Sequence, residues 1–396
     1  MEKKIKILRI ITRLNIGGPA QHAIFLTESL NKDFFESKLI IGSVNSNEGD
    51  MSFLARDKGL SLIEITELQN EGGLLSDFRA FLKLYRIIRK ERPHIIHLHL
   101  FKARILGGLA AKLAGVPIII QTFHGHVFRE YYDAFKTAII LLIERFIGRF
   151  VTDEIIAISD NQKEDLIQFG ISKSDKIRVM SIGLELDRFL NVEEKRGELR
   201  RELDLSDECT LVGIVGRLVP IKGHLYFLRA AKDVLDTLGN SRVRFLIIGD
   251  GELRKELESQ CRELGIEKSV IFLGWRNDLE RIYADLDVVV LSSLNEGTPV
   301  SVIEAMASGK AVAATKVGGV SDIIKDGVSG ILVPSKDHIS LAQAIIKLLN
   351  DPKLRLTLGN EGRKRVYPEY DVSNLVKNME NFYMDLSISR SIYYKL

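Results

Sequence analysis

At 396 residues, 45% of them hydrophobic and 28% charged, the chain is long enough for two globular domains and too long for one typical core. A net charge of +3 is too mild to argue for a nucleic-acid partner, and the two cysteines, Cys209 and Cys261, suit neither a disulfide framework nor a metal-ligand spacing, so a reducing cytoplasm is expected. The basic N-terminus has no secretory apolar core, because Arg9 and Arg13 interrupt it, and the apolar run Ala138–Ile143 falls far short of the roughly 20 residues a spanning helix needs.

Lys4–Ile11 reads as a buried first strand, followed by a loop with the glycine pair Gly17–Gly18 and a helix to about Leu30. Such a pair lets a backbone approach a ligand at the strand's carboxyl end, or simply makes a tight turn. It is not G-x-G-x-x-G, and no acidic residue closes the second strand near Leu39–Ser43, which disfavours a dehydrogenase-type fold. Strands are predicted at Leu62–Ile65, Ile95–Leu98 and Ile118–Thr122, and helices at Asp77–Glu91 and Arg104–Ala114. His94, His97 and His99 lie on or beside one strand, with His97 and His99 on the same face. No Cys, Asp or Glu accompanies them at a suitable spacing, so satisfied structural histidines are expected rather than a metal pair. His124, just past a strand end and beside Gly125, stands where open α/β sheets bind ligands, with His126 as a neighbour. Arg129–Phe150 predicts a helix whose stripe Phe135, Ile139, Leu142, Phe146 and Phe150 is interleaved with Lys136, Arg145 and Arg149. The stripe reads as a core face in preference to a surface lying on an anionic membrane. Glu154–Ile158 is the next strand, Ser159 or Asp160 caps the helix after it, and Lys176–Ser181 is the last strand of the first domain.

The charged stretch Glu193–Glu202 reads as a solvated helix after the linker. Leu211–Gly216 then opens the second domain, and the loop after it carries Arg217 and Lys222. A strand, a glycine, a planar cationic fork and a point cation before a helix make a diphosphate clamp. A tight turn at Asp250–Gly251 follows the strand Phe245–Gly249, and Trp275 reads either as a stacking surface for a base or as core. The strand Leu286–Leu291 leads into Ser292–Gly309, which holds two carboxylates, Glu296 and Glu304, with seven residues between them. Thr298 is the expected N-cap, Pro299 the first helical residue and Gly309 the stop. The N–H groups near Gly297, Thr298 and Val300 are then a ready anion site. A phosphate-binding helix start flanked by carboxylates suits a nucleotide-sugar. Strand-then-helix units fill both halves and predict doubly wound α/β architecture.

The stretch Glu296-Gly297-Thr298-Pro299 to Glu304-Ala305-Met306-Ala307-Ser308-Gly309 resembles the E-x7-E signature of retaining GT-B glycosyltransferases, particularly family four. The likeness extends to the glycine pair, to Thr122-Phe123-His124, to Gly183 and Phe189 of a hinge segment, to Gly216-Arg217 with Lys222-Gly223, and to Gly249-Asp250-Gly251. It departs at Ile182, Glu185 and Glu252, where asparagine, aspartate and proline are usual. The resemblance implies two Rossmann-like domains facing across a cleft: residues 1–183 with a C-terminal helix (370–396) crossing back, and residues 190–369. It implies a retaining glycosyltransferase of hexosyl or N-acetylhexosaminyl type, serving bacterial-type cell-surface polysaccharide or glycolipid synthesis. A nucleotide-sugar epimerase of the same fold and a non-catalytic nucleotide-sugar-binding protein are the alternatives. The donor is expected to be UDP- or GDP-linked. Its contacts are Gly17, Gly18, Arg217, Lys222, Gly251, Gly297, Thr298, Pro299, Val300 and Glu304, with Glu296, His124, Arg217 and Lys222 as the catalytic set. With two cations and a helix start facing the diphosphate, no metal and no cofactor are expected. The acceptor is a sugar, free or lipid-linked, met in the cytoplasm or at the inner membrane face.

Overall fold

The computed structural model describes residues 4–15, 17–44, 49–69, 73–125, 134–239 and 242–392. It divides into two compact units: one runs to Leu184 and regains the chain at Val372, and the other is Glu185–Asp371.

The first unit holds seven parallel strands: β1 (Ile5–Ile11), β2 (Phe35–Gly42), β3 (Leu62–Ile65), β4 (Ile95–His99), β5 (Ile118–Phe123), β6 (Glu154–Ala157) and β7 (Ile177–Val179), in the order β3-β2-β1-β4-β5-β6-β7. A parallel sheet needs helices on both faces, which is why its strands are almost wholly apolar. Alternation along each strand decides what each face receives. Leu8, Ile10, Ile96, Leu98 and Ile119 pack beneath the helices Leu74–Glu91 and Gly108–Ala114. Ile5, Ile7, Ile95, Ile118 and Ile120 face the first helix, Gly18–Ser29, and the C-terminal helix, Val372–Ser389, which contributes Leu375, Met379, Phe382 and Tyr383. By the same alternation Arg9, His97, His99 and Thr122 share this second face. Arg9 is fully buried there and donates to Thr27 Oγ1 (2.8 Å), Ser37 Oγ (2.9 Å) and Tyr383 Oη (3.1 Å).

The second unit holds β8 (Thr210–Val215), β9 (Val243–Ile248), β10 (Val270–Gly274), β11 (Val288–Leu291), β12 (Ala311–Thr315) and β13 (Ile331–Val333), parallel in the order β10-β9-β8-β11-β12-β13. Phe227, Leu228 and Val234 of the helix His224–Leu238 and Leu341, Ile345 and Leu348 of the helix His338–Asn350 join Val212, Ile214, Val288 and Val290 in one core.

Two expectations are corrected. The stripe Phe135, Ile139, Leu142, Phe146 and Phe150 is not a core face: these side chains are 44–75% exposed on the helix Ala134–Phe146 and the π turn Ile147–Val151. The opposite face packs inward through Ile140, Leu141, Ile143 and Ile147, with Glu144 buried in an ion pair with Arg104. The start of that predicted helix, and His126, lie outside the described residues. The stretch Glu193–Glu202 is not one solvated helix. It breaks at Gly197, and Arg200 is buried between Asp285 (3.4 Å) and Asp287 (3.2 Å). Of the two readings open for Trp275, core is excluded by its 54% exposure. The Ser159 cap does form, its hydroxyl accepting from the Gln162 N–H at 3.2 Å.

Candidate active site

In each sheet the strand order reverses at one point, between β1 and β4 in the first unit and between β8 and β11 in the second. Loops leaving the carboxyl ends of two such strands diverge to opposite faces and leave a crevice between them. The sequence-predicted residues gather at these two crevices.

In the second unit, Arg217 and Lys222 come from the loop after β8, and Glu296 from the loop after β11. The two loops are tied by backbone. Leu294 N donates to Ile221 O (2.8 Å), and Ser292 Oγ donates to Lys222 O (3.1 Å). Gly223 takes φ +63°, and a Cβ there would stand 2.2 Å from Ser292 O, so no other residue permits this approach. Lys222 Nζ and Ser293 Oγ both donate to Glu296 Oε1, each at 2.6 Å. The sequence reading gave Lys222 and Glu296 separate tasks; the structure pairs them. Ser293 was missed, and its position two residues past a strand end was the available signal. The Arg217 guanidinium, half-buried, makes no hydrogen bond or ion pair among the described residues.

The helix after β11 is Val300–Ala307. Thr298 is therefore not its N-cap and Pro299 is not its first residue: Pro299 is the cap, with an extended ψ of 100°, and no side chain caps the helix. The preceding loop is held by the turn after β12. Gly319 N donates to Glu296 O (3.1 Å), and a Cβ on Gly319 would stand 1.9 Å from Gly297 O. That contact holds residues 296–297 out of helical geometry and delays the start. The N–H groups of Gly297, Thr298 and Val300 have no partner among the described residues and stay available to an anion. The helix ends at Ala307, and Gly309, two residues on at φ +67°, stops it as expected. Gly251, in the turn after β9, packs against the Leu218 backbone of the β8 loop.

Glu304 lies past the first turn and is 6% exposed. Burial pushes its carboxyl up to about 7, opposed by the charge of Arg188 and by a hydrogen bond from Tyr283 Oη to Oε2 at 3.2 Å. Tyr283 and Arg188 were not anticipated: nothing in their spacing ties them to Glu304.

In the first unit, Gly17 and Gly18 open the first helix, which carries the buried His22. His99 ends β4, and His124 follows β5. His99 Nδ1 and His124 Nε2 are hydrogen-bonded at 2.9 Å. The His22 ring meets that of His124 edge-on at 4.9 Å. Among the described residues, His22 has no partner on either ring nitrogen, and His99 Nε2 and His124 Nδ1 have none. His97 is a satisfied structural histidine, bonded to Tyr383 Oη (2.5 Å) and Thr122 Oγ1 (2.7 Å). His94 accepts from the Lys6 N–H (2.9 Å). His99 departs from that expectation by facing the crevice histidines instead. Burial, with lesser help from Arg9, lowers His22 to about 3, and burial first of all takes His97, His99 and His124 well below the ordinary range. All four are neutral at pH 7. The ligand nitrogens of His22, His99 and His124 lie within 4.8 Å of one another, close enough to take a transition metal. No carboxylate joins them among the described residues, and the charges of Arg9 and Arg104 beside them work against a dication.

Comparison with known proteins gives a consistent result. The family model for Glycosyltransferase Family 4 matches residues 16–188, and that for Glycosyl transferases group 1 matches residues 195–365. The chain is 30% identical over 392 residues to the UDP-Gal:alpha-D-GlcNAc-diphosphoundecaprenol alpha-1,3-galactosyltransferase of Escherichia coli, covering 98% of each. It is 30% identical over 327 residues to the capsular polysaccharide biosynthesis glycosyltransferase CapM of Staphylococcus aureus, covering 81% of this chain and 84% of that one. Among solved structures, Anabaena HepE in complex with UDP and glucose superposes with a TM-score of 0.83 at 21% identity, covering 96% of this chain and 100% of the other, which shows the shared GT-B fold.

Proposed function

The chain belongs to the family 4 glycosyltransferases, and from this premise we propose that it moves a hexose or N-acetylhexosamine from a nucleoside-diphosphate sugar to a sugar hydroxyl, with retained anomeric configuration. The observation that carries the reading is the crevice between β8 and β11, where one arginine and three N–H groups without a partner among the described residues, together with one lysine, accompany two carboxylates of different character. The diphosphate is the leaving group. Arg217, Lys222 and the N–H groups at Gly297, Thr298 and Val300 stabilise its growing charge without a metal ion. When Lys222 turns to the diphosphate, Glu296 Oε1 keeps the Ser293 hydroxyl, and the carboxylate accepts from sugar hydroxyls. Glu304, ionised on binding, accepts from the two ribose hydroxyls. His124, neutral and held by His99, offers to the sugar its Nδ1, which has no partner among the described residues, with Gly17 and Gly18 on the adjoining loop.

A UDP-linked donor is supported by the galactosyltransferase relative, whose name specifies UDP-Gal. The same relative's acceptor is a sugar diphosphate on a polyprenol, which supports a lipid-linked acceptor here and work at the cytoplasmic face of a membrane in cell-surface glycan synthesis. Among the described residues no helix is long and apolar enough to cross a membrane. The test is a thermal-shift screen of UDP- and GDP-sugars. A donor at a hundred times its dissociation constant stabilises the protein by about 2.7 kcal/mol. Stabilisation by one nucleotide-sugar that Arg217→Ala abolishes is expected; the absence of any shift across the panel rejects the reading.

A further inference from the structure

Three histidines meet at the carboxyl end of the first sheet, each from a different element: His22 from the first helix, His99 from the end of β4 and His124 from just past β5. His22 and His99 are fully buried and His124 is half-buried. Their ring centres form a triangle with sides of 4.9, 5.2 and 5.6 Å. One hydrogen bond, between His99 Nδ1 and His124 Nε2 at 2.9 Å, uses two of the six ring nitrogens. The other four have no partner among the described residues. Buried polar atoms normally find partners, and a cluster that does not has a physical reason, of which a bound ion is one. Each neutral imidazole brings one bare nitrogen, and a ligand nitrogen from each ring lies within 4.8 Å of the other two. A metal ion about 2.0 Å from three nitrogens holds them roughly 3.5 Å apart, so closure asks for side-chain shifts of about an ångström. No net proton leaves when His99 and His124 keep theirs on the nitrogens turned away from the ion.

The charge around the cluster selects the ion. Arg9 pairs in register with His97, two residues from His99 on the same face of β4. Its guanidinium is fully buried and, among the described residues, donates only to neutral oxygens, those of Thr27, Ser37 and Tyr383. No carboxylate or thiolate joins the three rings among the described residues to offset a second positive charge. A dication there faces an uncompensated cation through a poorly screened interior, and a monocation meets half that repulsion. Of the metals that imidazole suits (zinc, copper, iron and nickel) copper is the one with a stable monovalent state, and three nitrogens satisfy it.

We propose that His22, His99 and His124 form a binding site for copper(I). The ion takes no part in transfer. By holding His124 it competes with the sugar, a consequence that rests on the proposed function; the site itself is read without donor, so the two readings fail separately.

The test is an anaerobic titration of the full chain with copper(I) held by the coloured chelator bicinchoninate, followed by X-ray absorption of the copper-loaded protein. It is done in a Cys209→Ser/Cys261→Ala background, so that neither thiol competes. One copper per chain is expected, with a first shell of imidazole nitrogens only. His22→Phe and His99→Phe are each expected to lose at least a hundredfold in affinity, and His94→Gln, whose imidazole accepts from the Lys6 N–H outside the cluster, is expected to bind as the background does. Zinc(II) is expected to bind at least a hundredfold more weakly than copper(I). The absorption measurement keeps all three histidines, so it decides the proposal even where a variant does not fold. No copper taken from the chelator, sulfur in the first shell, or unchanged affinity in both phenylalanine variants overturns the site. Zinc(II) bound as tightly as copper(I) overturns the choice of ion.

Discussion

Replacing Glu304 by glutamine should stabilise the fold and weaken the nucleotide site, with a pH dependence that follows from burial. The side chain is buried on a helix whose neighbouring residues Val302, Ile303, Ala305, Met306 and Ala307 are buried too, and its hydrogen-bond donor among the described residues is Tyr283 Oη. Burial lifts its carboxyl from the ordinary 4.5 to about 7, which penalises the ionised folded state by about 3 kcal/mol. Because the folded value is the higher one, this contribution favours folding below pH 4.5 and is lost as pH rises towards 7. Glutamine keeps the shape and can still accept from Tyr283, yet has no proton to lose. Glu304→Gln should therefore match wild type at pH 4.5 and exceed it at pH 8.5 by up to about 3 kcal/mol. Urea unfolding followed by the fluorescence of Trp275, the single tryptophan and part of the same unit, measures this directly. A stability difference that does not change between the two pH values would refute the burial argument. The same variant reads the ribose. Removing the 2′ and 3′ hydroxyls of the nucleoside diphosphate should cost wild type far more affinity than it costs Glu304→Gln, since each charge-assisted bond is worth about 1.5–3 kcal/mol. Equal losses in both proteins would mean that Glu304 serves the fold alone.

Arg217→Ala should lower turnover by the equivalent of about 2–4 kcal/mol while the unfolding temperature hardly moves, because the guanidinium has no partner to abandon among the described residues; near-normal activity rejects the clamp. Lys222→Ala should lose comparable activity and also some stability, since it strips Glu296 of a 2.6 Å partner. Transfer should persist without added Mg²⁺ or Mn²⁺ and in excess chelator, and an absolute requirement for either ion contradicts the metal-free site. Tyr383→Phe severs the C-terminal helix from both Arg9 and His97 and should destabilise the first unit by about 1–3 kcal/mol in urea unfolding; unchanged stability would show that the link is incidental.

Much of this architecture was legible because parallel strands announce themselves as apolar runs and because backbone requirements fix glycines. Gly223 and the pair Gly318–Gly319 sit where loops approach to within a methyl group's radius, so the chain shows where its crevice loops meet. Arg217, Lys222 and Glu296 were readable for the same reason: each follows a strand end at a short, fixed distance. The stripe from Phe135 to Phe150 was misread because the helix is apolar on two faces, and a period of 3.6 does not say which face meets the sheet. The cations among the stripe were the discriminating signal, together with Glu144 on the other face. The partners Tyr283, Arg188 and Tyr383 were beyond reach. Each meets its target through tertiary packing across long sequence separations, and a buried arginine such as Arg9 looks in sequence like an interruption of a strand.

The central claim is transfer of a sugar from a nucleoside diphosphate with its anomeric configuration retained. Its most direct test is a proton NMR spectrum of the product. The α-configured donor that gives the largest thermal shift is incubated with an acceptor sugar carried on a lipid diphosphate. The account predicts a new α-glycosidic signal, one nucleoside diphosphate released per linkage formed, and neither in Arg217→Ala. A β-linked product, or a donor epimerised without transfer, would contradict it.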